Sequence, residues 1–231
     1  MSILDYVLKF LAITAFSFVL WKKLKEDYTT DLIFSFTILI LAFTTLGVAV
    51  AQNFLPGYSF WLVTLLDTLV VSWFVKSSYF KLYELLDALV LSLLTLFLGT
   101  NITELLLQVI RDRGIGVSDI YFTAQIFAAL LTIILYKIYL KRYRSFSWYP
   151  SGKIGFIGLS LAASYFLLRG LVAIGTSSVV PFFEPARILD TTLSFLLVFV
   201  FSGWIYTRSG KARAHKAEQI IRGIFIWQRK K

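Results

Sequence analysis

Seven apolar runs of 16 to 26 residues, separated by short polar connectors, constrain this chain more than any other feature. They are Ile3–Trp21, Leu32–Leu55, Phe60–Val75, Leu82–Leu107, Ile120–Tyr139, Ile154–Ala173 and Ala186–Tyr206. A helix rises about 1.5 Å per residue, so about 20 residues cross a hydrocarbon core of about 30 Å. Inside that core every backbone N–H and C=O needs an internal partner, and a helix supplies all of them from one segment. The expectation is an all-α, polytopic membrane protein with about seven transmembrane helices. Phe60–Val75 is the shortest run and carries Asp67; adding Tyr58 and Ser59 makes it long enough to span with little tilt. Composition agrees: 58% hydrophobic residues and 16% charged residues would leave a water-soluble chain of 231 residues short of polar surface.

The basic residues orient the spans. Of the 23 Lys and Arg, four (Lys9, Arg111, Arg113 and Arg187) fall on one side of a seven-span path and Arg169 lies within a span. All the others fall on the opposite side. Cytoplasmic segments carry the excess of Lys and Arg, so the N-terminus is expected outside and the C-terminus in the cytoplasm of a cell that inserts the protein in its cytoplasmic membrane. The net charge of +10 is accounted for by these short basic connectors, which meet lipid headgroups, and nucleic acid is not an expected partner. The first run has Asp5 before it and Trp21-Lys22-Lys23-Leu24-Lys25 after it, the reverse of a secretory signal, and is expected to remain as an anchor.

One domain, residues 1–211, holds the seven spans. Residues 212–231 form a basic tail in which Ala217, Ile220, Ile221, Ile224 and Trp227 recur at helical spacing opposite Lys216, Arg222 and Arg229. That pattern reads as an amphipathic helix on the inner membrane surface. The chain has no Cys and one His, His215, which excludes thiol chemistry and His-based metal clusters; neither a metal nor another cofactor is expected.

Polar groups inside the spans are the candidate functional residues, because a charge in hydrocarbon costs several kcal/mol unless it is paired or lines a wet cavity. Arg169 stands roughly 20 Å from the inner start of its helix, and Asp190 about 6 Å below the outer start of the next. The two can meet. Asp67 falls near the middle of its span, and Asn101 and Glu104 near the outer end of theirs, so a polar cluster of Asp190, Asn101, Glu104 and Asp67 is conceivable around Arg169. Bland assignments also exist. Asp190 follows Arg187 by three residues, a local ion-pair spacing; Asp67 can be neutral and bonded to a helix carbonyl; Glu84 and Asp87 can mark the inner headgroup boundary. Tyr165 lies one turn before Arg169 on the same face, and a guanidinium beside a phenol can hold a phosphate.

At this point the residues resemble a family. Pro150-Ser151-Gly152-Lys153-Ile154-Gly155-Phe156 followed by Tyr165-Phe166-Leu167-Leu168-Arg169 looks like the late part of bacterial prolipoprotein diacylglyceryl transferases, where a Pro-Gly turn leads to a Tyr-x-x-x-Arg-Phe-x-x-Glu helix. Here Gly170 replaces the Phe and Ala173 the Glu. Thr123-Ala124-Gln125-Ile126-Phe127-Ala128 is similar to the family's Pro-Thr-Gln-Leu-Tyr-Glu and keeps the Gln. Asp87 followed by Gly99 is similar to the Asp and Gly of the helix that ends Gly-Arg-Ile-Gly-Asn, with no Arg and with Asn101 as a loose substitute. Ser59-Phe60-Trp61-Leu62-Val63 stands where the family has Ser-Phe-His-Gly-Gly. Asp190-Thr191-Thr192-Leu193-Ser194 resembles the family's last helix without its Gln.

The resemblance implies a membrane transferase of lipoprotein biosynthesis, moving a diacylglyceryl group from phosphatidylglycerol to the thiol of a lipoprotein precursor at the outer leaflet. Arg169 and Tyr165 would bind the lipid phosphate, and Asp190 or Glu104 would orient the incoming group. The implied partners are an anionic phospholipid and a lipoprotein precursor. No His or second Arg matches the family's, which leaves the catalytic residues unknown and keeps a second reading open: a non-catalytic relative that binds phospholipid or a membrane partner through the same cavity. A small transporter is a third, for which neither broken helices nor an inverted repeat is evident.

Overall fold

The computed structural model describes residues 3–54, 58–77, 80–110, 117–142, 155–176 and 185–208. These form seven helices: α1 (Ile3–Leu24), α2 (Thr30–Phe54), α3 (Ser59–Ser77), α4 (Leu82–Ile110), α5 (Val117–Arg142), α6 (Phe156–Gly175) and α7 (Pro185–Arg208). The tail at 212–231, the turn at 150–154 and most of the connectors at 110–116 and 175–185 lie outside the described residues. Six helices, α2 to α7, are long and apolar enough to cross a bilayer. α1 matches them in length, with 22 residues, and packs as the seventh.

The helices end where local chemistry tells them to. α1 closes on Lys22 and Lys23, α3 on Lys76 and α7 on Arg208, each placing positive charge at the negative end of a helix dipole. α6 starts at Phe156, two residues later than the apolar run, because Gly155 adopts φ 95°, a left-handed conformation that cannot begin a helix.

Side-chain contacts place the ends. Tyr28, just after α1, bonds Glu84 at the start of α4; Lys23 meets Tyr136 near the end of α5; Asp87 of α4 reaches the start of α6; Trp204 near the end of α7 meets Tyr83. One end of the bundle, the basic end, therefore collects the end of α1, the starts of α4 and α6, and the later parts of α5 and α7. α4 is the hub, packed against α1, α5 and α6, while α2 pairs with α3 and α6 with α7.

Two apolar cores result. One joins α1 to α4 through Phe16, Leu20, Phe36, Phe74, Phe80 and Leu85. The other joins α4, α5 and α6 through Leu94, Leu98, Ile126, Ala129, Tyr165 and Phe166, with Phe60 and Trp61 of α3 and Phe201 of α7 packed against them. The outside is apolar too: Phe10, Phe54 and Phe199 are 67%, 77% and 76% exposed, whereas Ser92, Thr132 and Ser194 are fully buried. Apolar groups out and hydroxyls in is the distribution expected of a chain whose solvent is lipid. Buried hydroxyls such as those of Ser92 and Thr132 donate to the carbonyl one turn earlier, which spares them an unpaired donor in that solvent. The chain is a multi-pass membrane protein.

Candidate functional site

The centre at Arg169 is assembled by three helices. Arg169 and Tyr165 share a face of α6, and the guanidinium donates from Nη1 to the Tyr165 hydroxyl at 3.2 Å. Its Nε donates to Oδ1 of Asp190 on α7 at 2.8 Å. The same oxygen accepts the indole N–H of Trp61, on the first turn of α3, at 2.9 Å. Arg169, Asp190 and Tyr165 are all buried.

Aromatic rings pack around the guanidinium. The guanidinium carbon lies 3.6 Å from the centre of the Phe60 ring and 6.0 Å from that of Trp61, so cation–π attraction adds to the ion pair where water is excluded. Trp61 stacks on Phe166, and Phe166 stacks on Phe201. The stack fixes the indole so that its N–H faces Asp190. Arg187, one turn before Asp190, donates to the Ala173 carbonyl at 2.7 Å and to the Thr176 hydroxyl at 2.8 Å, tying the start of α7 to the end of α6. On the turn of α7 that carries Asp190, an apolar depression of about 420 Å³ is lined by Ile188, Leu189, Thr192 and Leu193.

Of the residues singled out from sequence, the structure joins Arg169, Tyr165 and Asp190 and leaves two others apart. Asn101 donates to the Phe97 carbonyl of its own helix at 2.7 Å. Asp67 accepts from Thr44 of α2. The side chain of Glu104 lies outside the described residues.

Two residues make contacts that their sequence context does not reveal. Trp61, which stands where the resembling family has a His, donates to Asp190; a Trp at the first turn of a span is common enough as an interfacial anchor that nothing local distinguishes it. Asp87, read as compatible with a headgroup boundary, accepts the backbone N–H groups of Gly155 and Gly158 at 2.7 and 2.6 Å. A carboxylate from α4 thus satisfies orphan donors at the positive start of α6. Gly158 is needed there, because a Cβ would stand 2.6 Å from the Leu86 carbonyl oxygen. The glycines at 155 and 158 were the available signal. Beside this anchor the Trp204 indole donates to the Tyr83 hydroxyl at 3.1 Å, and Arg208 lies over the Tyr83 ring.

No family model, no curated protein and no solved structure matches this chain.

Proposed function

We propose that this chain lies in the cytoplasmic membrane, N-terminus outside and C-terminus inside, and holds the phosphate of an anionic phospholipid at the Arg169 centre, as a divergent relative of the prolipoprotein diacylglyceryl transferases. One observation carries the reading: a guanidinium and a phenol hydroxyl are buried together against aromatic rings inside the bundle. Arg presents planar, charge-assisted donors suited to phosphate oxygens. Asp190 is the acceptor at Nε, and a phosphate oxygen would take its place or share its donors. In the proposed orientation the Arg169 centre lies in the outer half of the membrane.

A second reading, lipid binding without transfer, is favoured by Trp61. It occupies the position that resembles the family's His, and an indole cannot accept a proton as a general base must. Purified protein incubated with labelled phosphatidylglycerol and a lipobox peptide separates the two. Label on the peptide thiol establishes transfer. Saturable retention of the lipid without transfer establishes the binder, and the absence of both transfer and saturable retention overturns the proposal.

A further inference from the structure

Asp67 is the buried carboxyl for which the Arg169 centre has no use. It is 5% exposed, and it sits eight residues after Ser59 and ten before Ser77, about 12 Å and about 15 Å along the axis of α3, hence near mid-membrane. The two carboxyls described above are provided for: buried Asp190 has a guanidinium and an indole, and half-buried Asp87 has two backbone amides. Asp67 has the hydroxyl of Thr44, which lies 3.1 Å from Oδ1 and 3.2 Å from Oδ2. One hydroxyl proton cannot satisfy two carboxylate oxygens.

Among the described residues, α2 and α3 supply no counter-charge to Asp67. α2, the helix packed against α3, has Asp31 in its first turn as its single ionisable side chain, and on α3 itself Lys76 is nine residues away, about 13 Å along the axis. The seam is tight. One turn from Thr44, a Cβ on Gly47 would stand 3.0 Å from Val63 and 3.1 Å from Leu66, which leaves no room there for water between the helices. An unpaired carboxylate in such a place costs several kcal/mol. A carboxylic acid and a threonine hydroxyl each offer one donor and at least one acceptor, and satisfy one another.

We infer that Asp67, with Thr44, is a proton-binding site between α2 and α3, separate from the Arg169 centre, and is a target for lipid-soluble carbodiimides. These reagents require the acid form: its proton passes to a carbodiimide nitrogen, the carboxyl oxygen bonds to the central carbon, and the O-acylisourea rearranges to a stable N-acylurea. The addition has no leaving group and needs no oxidant.

The full chain in phospholipid vesicles is treated with dicyclohexylcarbodiimide or with a charged, water-soluble carbodiimide, and adducts are mapped by peptide mass spectrometry. The expected result is an adduct at Asp67 with the lipid-soluble reagent alone, none at the ion-paired Asp190, and loss of the adduct in Asp67→Asn. Thr44→Val is expected to keep the adduct, since the neutral acid does not depend on that hydroxyl for its proton. Absence of an Asp67 adduct in wild-type protein that remains monodisperse overturns the inference. Protection by Na⁺ or Li⁺ also overturns it, in favour of an alkali-cation site.

Discussion

Arg169 and Asp190 neutralise one another inside the bundle, and removing either leaves the other charge buried without its counter-ion. Arg169→Ala is expected to destabilise the protein by about 3–5 kcal/mol, and the double variant Arg169→Ala with Asp190→Ala to recover most of it. Unfolding in mixed micelles measures both. Lipid affinity separates packing from function: Arg169→Lys should weaken binding of an anionic phospholipid, Arg169→Ala should weaken it further, and the double variant should stay weak. Unchanged affinity in all three would remove Arg169 from the site. At the basic end, Tyr28 offers a pH test outside the spans. Burial, then the hydrogen bond to Glu84, push its phenol from the usual value near 10 up to about 12. The folded state holds this proton more tightly than the unfolded one, so the stabilisation is complete below pH 10 and is lost as pH rises towards 12. Phenolate absorbance should show a late titration step that Tyr28→Phe removes and Glu84→Gln shifts down.

Between elements, the contact of α4 with the start of α6 is the one most sensitive to single atoms. Gly158→Ala forces a methyl group against the backbone of Leu86 and Asp87, and about 1–3 kcal/mol of overpacking is expected. Asp87→Asn replaces an acceptor oxygen by an NH₂ that faces an amide N–H, at a cost of about 1–3 kcal/mol for the donor left unsatisfied. Both substitutions should lower the midpoint of detergent-induced unfolding while leaving the helix content of the folded protein unchanged. An unaltered midpoint in both would show that α6 is positioned by its apolar face alone. That face is substantial, with Leu159, Leu161, Ala162, Tyr165 and Phe166 buried, so the Asp87 contact sets register more than it supplies affinity.

For the whole molecule, the proposed orientation makes a direct prediction: a reporter that is active only outside the cytoplasm, fused after Lys231, should remain silent. Activity there would reverse the orientation and place the Arg169 centre in the inner leaflet. The number and order of the helices could be read from the chain itself, because hydropathy over about 20 residues is a local property and the bilayer imposes a minimum length on every span. Depth was legible for the same reason, since a fixed rise per residue brings Arg169 and Asp190 to nearly one level. Rotation about each helix axis was not. Whether Asp67 faces Arg169 or Thr44, and whether Trp61 faces lipid or Asp190, depends on which ridges of neighbouring helices interlock, and spans this uniformly apolar carry little pattern to orient them. The sequence by itself determined a stack of spanning helices with polar groups at known depths. The tertiary structure alone decided which of those groups meet, because in lipid the hydrophobic effect no longer distinguishes one helix face from another and specific packing and hydrogen bonds make the choice.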